Sequence, residues 1–234
     1  MKTKVYYAIW AVVSLFFTAC DYDNYDEPKS NLTGRIVYQG EPIGVSYNDV
    51  YFQLWEPGWQ TKAPINVNVD QDGTYSAVLF DANYKLVFPG GQGPFMPVKN
   101  TSTNSDTIAV DLKGSKTLDI EVMPFYMVRN AQFTAAGRKV TGTFKLDKII
   151  TDANARNVER VSLYVGRTQF VDGRSGLPVK DVNAADIPDM NNISLSVDVP
   201  AITPAQNYVY ARVGVKIAGV EDMLFSPVQK VTLQ

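Results

Sequence analysis

From residue 32 to residue 123 apolar and polar positions alternate with period 2. Leu32, Gly34, Ile36 and Tyr38 form one set, and Val50, Phe52 and Leu54 the next. Ile65, Val67 and Val69 follow, then Tyr75, Ala77 and Leu79, then Tyr84, Leu86 and Phe88. Ile108, Val110 and Leu112 come next, with Leu118, Ile120 and Val122 last. Each set is one face of a half-buried strand, because side chains on a strand point alternately to its two sides. Turn signals separate the sets at Gln39-Gly40-Glu41-Pro42, Gln71-Asp72-Gly73 and Asp81-Ala82-Asn83. About seven short strands with no helical spacing predict an antiparallel sandwich.

A second series begins near Pro124. Its sets are Val140, Gly142, Phe144 and Leu146; Val161, Leu163 and Val165; and Ile193, Leu195, Val197 and Val199, closed by Pro200. The longest set is Val209, Ala211, Val213, Val215 and Ile217. Polar stretches at 151–157 and 171–192 read as loops. Pro227 suits an edge strand, since proline has no N–H for a ladder. The predicted fold class is all-β, two tandem antiparallel β-sandwiches over 31–123 and 124–234.

The first 30 residues follow a different pattern. Lys2 and Lys4 precede an almost unbroken apolar run from Val5 to Phe17, then Thr18-Ala19 and Cys20. A charged start, an apolar stretch and small residues read as a secretory signal over 1–19. The run has about 13 residues, against the ~20 that a helix needs to cross a bilayer. Cys20 in this position resembles the acylated cysteine of bacterial lipoproteins, with Phe17 standing where leucine is usual. Residues 20–30 (CDYDNYDEPKS) then form an acidic tether from lipidated Cys20. The partner expected on this side is a membrane, reached through the N-terminal lipid anchor.

Composition narrows the chemistry. The chain has 234 residues, 45% hydrophobic and 20% charged, as in ordinary globular domains. It contains no histidine, which excludes Ser-His-Asp triads, Cys-His pairs and imidazole metal sites. Cys20 is the only cysteine, so no disulfide forms within the chain. Net charge is −2 and no Lys/Arg cluster stands out, so nucleic acid is not an expected partner. The acidic residues are scattered among turns rather than set in a glycosidase-like pair. No enzyme activity, metal or cofactor is expected.

Three places remain as candidates. Asp70-Gln71-Asp72-Gly73 has the look of a calcium loop, but Thr74, Tyr75 and Ser76 follow and no acid appears until Asp81, so a hairpin turn explains it better. Gly90-Gly91-Gln92-Gly93-Pro94 has neither a following helix nor a GK[ST] ending, so it does not read as a phosphate loop. Tyr51, Trp55 and Trp59 carry the sharpest signal. If Val50, Phe52 and Leu54 face inward, Tyr51 and Trp55 face outward, and Pro57-Gly58 turns the chain to present Trp59. Flat aromatics beside Gln53, Glu56 and Gln60 suit the apolar face and polar rim of a sugar ring. The alternative is that the same aromatics cover a joint between the two domains or are simply surface residues.

Several stretches resemble known families. LTGRIVYQGEPIGV, NDVYFQLW and VDQDGTYSAVLFDANYKLVF are similar to the carboxypeptidase regulatory-like, or transthyretin-like, sandwich. AITPAQN, YVYARVGVKI and Ser226-Pro227-Val228 are similar to the last strands of a fibronectin III-like or immunoglobulin-like domain. Asp106-Thr107-Ile108 resembles the O-glycosylation acceptor of secreted Bacteroidetes proteins, which implies modification at Thr107. The acidic stretch after Cys20 resembles the signal that sends such lipoproteins to the cell exterior.

Taken together, the order of signal, tether and two sandwiches is similar to a two-domain lipoprotein family of gut Bacteroidetes, DUF3823-like. That resemblance implies a surface-exposed lipoprotein of the outer membrane, commonly encoded beside glycan importers of the SusC/SusD type. It implies a non-catalytic accessory or binding role, with a polysaccharide as ligand. The alternative is a structural module that docks to outer-membrane protein partners without touching glycan.

Overall fold

The computed structural model describes residues 26–58, 62–175 and 177–233. Ten strands build the first domain: β1 (Ser30–Tyr38), β2 (Glu41–Pro42), β3 (Tyr51–Trp55), β4 (Ile65–Asn68), β5 (Thr74–Leu79), β6 (Ala82–Val87), β7 (Phe95–Pro97), β8 (Ile108–Leu112), β9 (Lys116–Thr117) and β10 (Ile120–Pro124). One sheet runs β2-β1-β10-β7, with β5 and β9 also paired to β1, and the other runs β4-β3-β6-β8. The alternation seen in the sequence is the reason these layers close. Leu32 and Ile36 of one sheet, and Phe52, Leu54 and Leu86 of the other, are fully buried. Phe52 meets Tyr75 across the core in an edge-on contact, ring centroids 4.8 Å apart.

Not every ladder is antiparallel. β1 runs parallel to β10 and to β9, while its pairings with β2 and β5 are antiparallel. This arrangement brings the chain back beside its first strand and requires close approach at Gly34. A Cβ there would stand 1.9 Å from the Leu118 carbonyl oxygen, so only glycine fits. The Tyr75 hydroxyl, on the residue paired with Gly34, donates to the same Leu118 carbonyl.

Eight strands build the second domain: β11 (Tyr126–Ala136), β12 (Lys139–Lys148), β13 (Val158–Gly166), β14 (Val179–Asn183), β15 (Ile193–Asp198), β16 (Tyr208–Ile217), β17 (Leu224–Phe225) and β18 (Gln229–Thr232). β11-β12-β15 form one sheet; β14-β13-β16-β17, with β18 also on β16, form the other. The predicted inward set Val209, Ala211, Val213, Val215 and Ile217 is completely buried. Only Phe125, itself buried, separates β10 from β11, so the two sandwiches share a continuous path rather than a linker.

Three departures from the sequence pattern have physical causes. β11 carries no clean alternation because its register shifts between Arg129 and Gln132, where Asn130 takes a left-handed backbone with φ of 53°. β14 lies inside the stretch read as loop; it is an edge strand whose residues are exposed apart from half-buried Val182, so it has no apolar face to show. Ile65, read as inward-facing, is exposed at the first position of edge strand β4.

Candidate binding surface and domain joint

The outward face of the β4-β3-β6-β8 sheet carries Tyr51 and Trp55 among polar side chains. Phe52 and Leu54 point into the core with no exposure, so the pleat sends Tyr51, Gln53 and Trp55 the other way, where each is half-buried. Register fixes their neighbours: Tyr51 lies beside Asn68, Gln53 beside Asn66 and Val87, and Trp55 beside Lys85. The Trp55 indole N–H donates to the Gln53 side-chain carbonyl at 3.2 Å, which holds the indole along the strand. Tyr51 and Trp55 are four residues apart on one strand, about 13 Å. They bracket a strip of amide side chains from Gln53, Asn66 and Asn68.

Trp59 and Cys20 lie outside the described residues. Thr107 is exposed, immediately before β8, and its N–H donates to the Ser105 hydroxyl at 3.1 Å. The Asp70–Gly73 segment is a tight hairpin connection: the Gly73 N–H donates to Asp70 O at 2.9 Å, and the Asp72 carboxylate accepts from the Thr74 N–H at 3.1 Å. These are the bonds of the hairpin turn that the sequence predicted.

The joint between the domains is made elsewhere, by residues the alternation did not single out. Arg212 sits in the middle of β16, on the face opposite Ala211 and Val213, and is 1% exposed. Its guanidinium donates to the carbonyls of Ser226 at 3.1 Å, Val171 at 3.3 Å, Val45 at 3.2 Å and Gln71 at 3.1 Å. It also reaches the Gln71 side-chain carbonyl at 3.4 Å and lies over the Phe225 ring, 4.2 Å from its centroid. Val45 and Gln71 belong to the first domain, the other partners to the second. Burial pushes the Arg212 guanidinium down to about 9, against the pull of Asp172 and Asp72, so it remains a cation at neutral pH.

Around this centre the chains meet directly. The Phe225 N–H donates to Gly44 O at 2.9 Å in an isolated bridge between the domains. A Cβ on Gly44 would stand 2.5 Å from the Phe225 carbonyl oxygen. Arg174 pairs with Asp49 at 3.1 Å, donates to Tyr47 O at 2.9 Å, and holds Asp172 in an ion pair. Burial alone would raise the Asp172 carboxyl; the Arg174 bonds outweigh it and hold the group below the usual carboxylate range. Arg129 pairs with Glu41, and the Gly93 N–H donates to Asp222 at 2.7 Å. The Gln71 side-chain N–H adds a bond to Gln169 O at 2.9 Å, and among the described residues the Tyr51 and Trp55 side chains make no bond across the joint.

Several clefts flank the joint. One, of about 490 Å³, lies between Glu41, Gln71, Met127 and Val228. Another, of about 710 Å³, opens between Asn48 and Asp49 of the first domain and Lys216, Glu221 and Asp222 of the second. The signal in the sequence for this joint was Arg212 itself: a charged residue in the longest apolar strand, flanked on its own face by Gly214.

Comparison with known proteins places this architecture. The model of the N-terminal domain of a protein family of unknown function, DUF3823, matches residues 30–123, and the model of its C-terminal domain matches residues 126–230. A DUF3823 family protein from Bacteroides ovatus is 32% identical, with a TM-score of 0.76 over 88% of this chain and all of that one. A DUF3823 family protein from Parabacteroides merdae is 33% identical, with a TM-score of 0.74 over 89% of this chain and all of that one. A structure from Bacteroides uniformis described as a "putative carbohydrate binding protein" shares the fold at 19% identity, with a TM-score of 0.66 over 88% of this chain and its own full length. Comparison with curated proteins returns no match. With both of its sandwiches matched in order, the chain belongs to the DUF3823 family.

Proposed function

We propose that this protein is a non-catalytic binding protein that holds a saccharide chain on the outward face of the β4-β3-β6-β8 sheet. The observation that carries the reading is the placement of Tyr51 and Trp55 on one face of the sheet, with Gln53, Asn66 and Asn68 between and beside them. A sugar ring has an apolar face for an aromatic and a rim of hydroxyls for side-chain amides, which both donate and accept. The name of the Bacteroides uniformis neighbour, "putative carbohydrate binding protein", is in keeping with the same reading. With Cys20 lipidated, the protein sits at the outer-membrane surface and presents glycan to an uptake system of the SusC/SusD type.

Isothermal titration against a panel of plant and host polysaccharides tests this. The wild type binds at least one glycan, and Trp55→Ala and Tyr51→Ala each weaken it about tenfold or more, as loss of a stacking aromatic requires. Absence of binding to every glycan would overturn direct recognition and leave docking to a partner protein as the role.

A further inference from the structure

We propose that the 710 Å³ cleft beside the joint receives the end of the saccharide chain that lies on Tyr51 and Trp55, with Asp222 accepting hydroxyl groups of the terminal sugar. This rests on the sheet-face reading above and extends it to a second, contiguous site.

Continuity along the chain is the first argument. Asn48 and Asp49 line the cleft, and Tyr51 opens β3 two residues later. Gln92 lines the cleft as well, and its side-chain carbonyl accepts the Tyr51 N–H at 2.9 Å. The strand that carries Tyr51 and Trp55 therefore starts beside the cleft, at its Tyr51 end. In this proposal a saccharide on the sheet face extends past Tyr51 into the cleft, whose far side is lined by Lys216, Glu221 and Asp222 of the second domain.

The chemistry of the cleft is the second argument. Its floor is closed by Tyr164, Met223 and Phe225, and its rim is polar, an arrangement that suits a ring with one apolar face. The rim cations are already engaged. Arg174 is held by Asp49 and Asp172, and Arg160 by Asp181 at 3.2 Å. The Lys216 ammonium donates to the carbonyls of Val220 and Glu221, each at 2.6 Å. Asp222 differs: one of its oxygens takes the Gly93 N–H, and no cation pairs with it among the described residues. It has an oxygen to offer a ligand, and what it needs is a donor. A volume of this size lies within the range of small-ligand sites.

Wild type, Asp222→Asn, Asp222→Ala and Trp55→Ala should be titrated with tetrasaccharides of β-glucan, mannan, xylan and galactan, and with the parent polymers. Asp222→Asn keeps an acceptor for the Gly93 N–H, so it preserves the local fold, which a thermal melt verifies. The expected result is about tenfold weaker tetrasaccharide binding in both Asp222 variants, the loss of a charge-assisted hydrogen bond. Polymer binding, dominated by internal residues on the sheet face, falls less. Asp222 variants equal to wild type on tetrasaccharides, with Trp55→Ala losing both probes, would overturn the cleft and leave the sheet face standing. Equal losses on tetrasaccharides and polymers would overturn end recognition. A wild type that binds neither probe would overturn both readings.

Discussion

The guanidinium of Arg212 donates to the backbone carbonyl of Gln71 at 3.1 Å, joining the middle of β16 in one domain to a hairpin turn of the other. Five carbonyl groups surround that cation: the backbone carbonyls of Ser226, Val171, Val45 and Gln71, and the side-chain carbonyl of Gln71. A buried charge without a carboxylate hydrogen bonded to it is costly unless its donors are filled, and here they are.

Arg212→Met removes the donors and leaves buried carbonyls unpaired. Each such group costs about 1–3 kcal/mol, so the variant loses at least about 3 kcal/mol. For a chain of this size that lowers the melting temperature by roughly 6–12 °C. Differential scanning calorimetry checks it, and the same trace shows whether one transition becomes two as the domains uncouple. A variant that melts with the wild type would remove Arg212 from the centre of the joint.

Gly34 and Tyr75 make a paired test in the first sandwich. Gly34→Ala drives a Cβ to within 1.9 Å of a backbone oxygen, which cannot move as a flexible side chain would. The cost is about 3 kcal/mol or more, in the range of severe packing defects. Tyr75→Phe keeps the ring against Phe52 and removes only the bond to Leu118, about 1 kcal/mol. Urea denaturation should separate the two by that margin.

Phe52, Tyr51 and Trp55 share one strand yet face opposite environments. Phe52→Ala empties the core at about 3–5 kcal/mol. Tyr51→Ala and Trp55→Ala, on the half-exposed face, each cost about 1 kcal/mol by the lesser area they cover. Equilibrium unfolding of the three variants measures this, and equal costs would place the aromatics in packing rather than on a binding face.

Asp222 should reveal itself through pH. Burial pushes its carboxyl above the ordinary value, with Asp49 and Glu221 adding to the rise and the Gly93 N–H and Lys216 opposing it. A carboxyl raised in the folded state binds its proton more tightly there than in the unfolded chain. Its ionisation therefore costs stability once pH rises above the folded value, and costs nothing below the unfolded value of 3.8. Asp222→Asn should melt at a higher temperature than wild type at pH 7, and the gap should close as pH falls below that value. Melting curves from pH 3 to pH 8 measure it; a gap that widens in acid has the wrong sign. A residue that lowers stability at neutral pH fits a binding role better than a structural one.

Much of the fold was legible in the sequence because half-buried strands write their geometry into alternation. Phe52 and Leu54 facing in, with Tyr51 and Trp55 facing out, follows from period 2 alone. Where a strand lacks one continuous face the rule fails. β11 shifts register at Asn130, and β14 has only Val182 to turn inward. Asp70–Gly73 was legible as a turn, but its second task, presenting Gln71 to Arg212, depends on a strand more than 140 positions later and leaves no local mark.

By itself the sequence determined the all-β class, the inward and outward faces of β3 and the absence of histidine chemistry, since each depends on residue type or on neighbours within a few positions. Tertiary structure decided the rest. It buried both faces of β16 at Arg212 and Gly214, turned Arg212 into the centre of the domain joint, and set the cleft holding Asp222 at the Tyr51 end of the aromatic strip. Those outcomes arise where surfaces far apart in the chain exclude water from each other. The identity of a residue does not reveal which distant carbonyls will surround it.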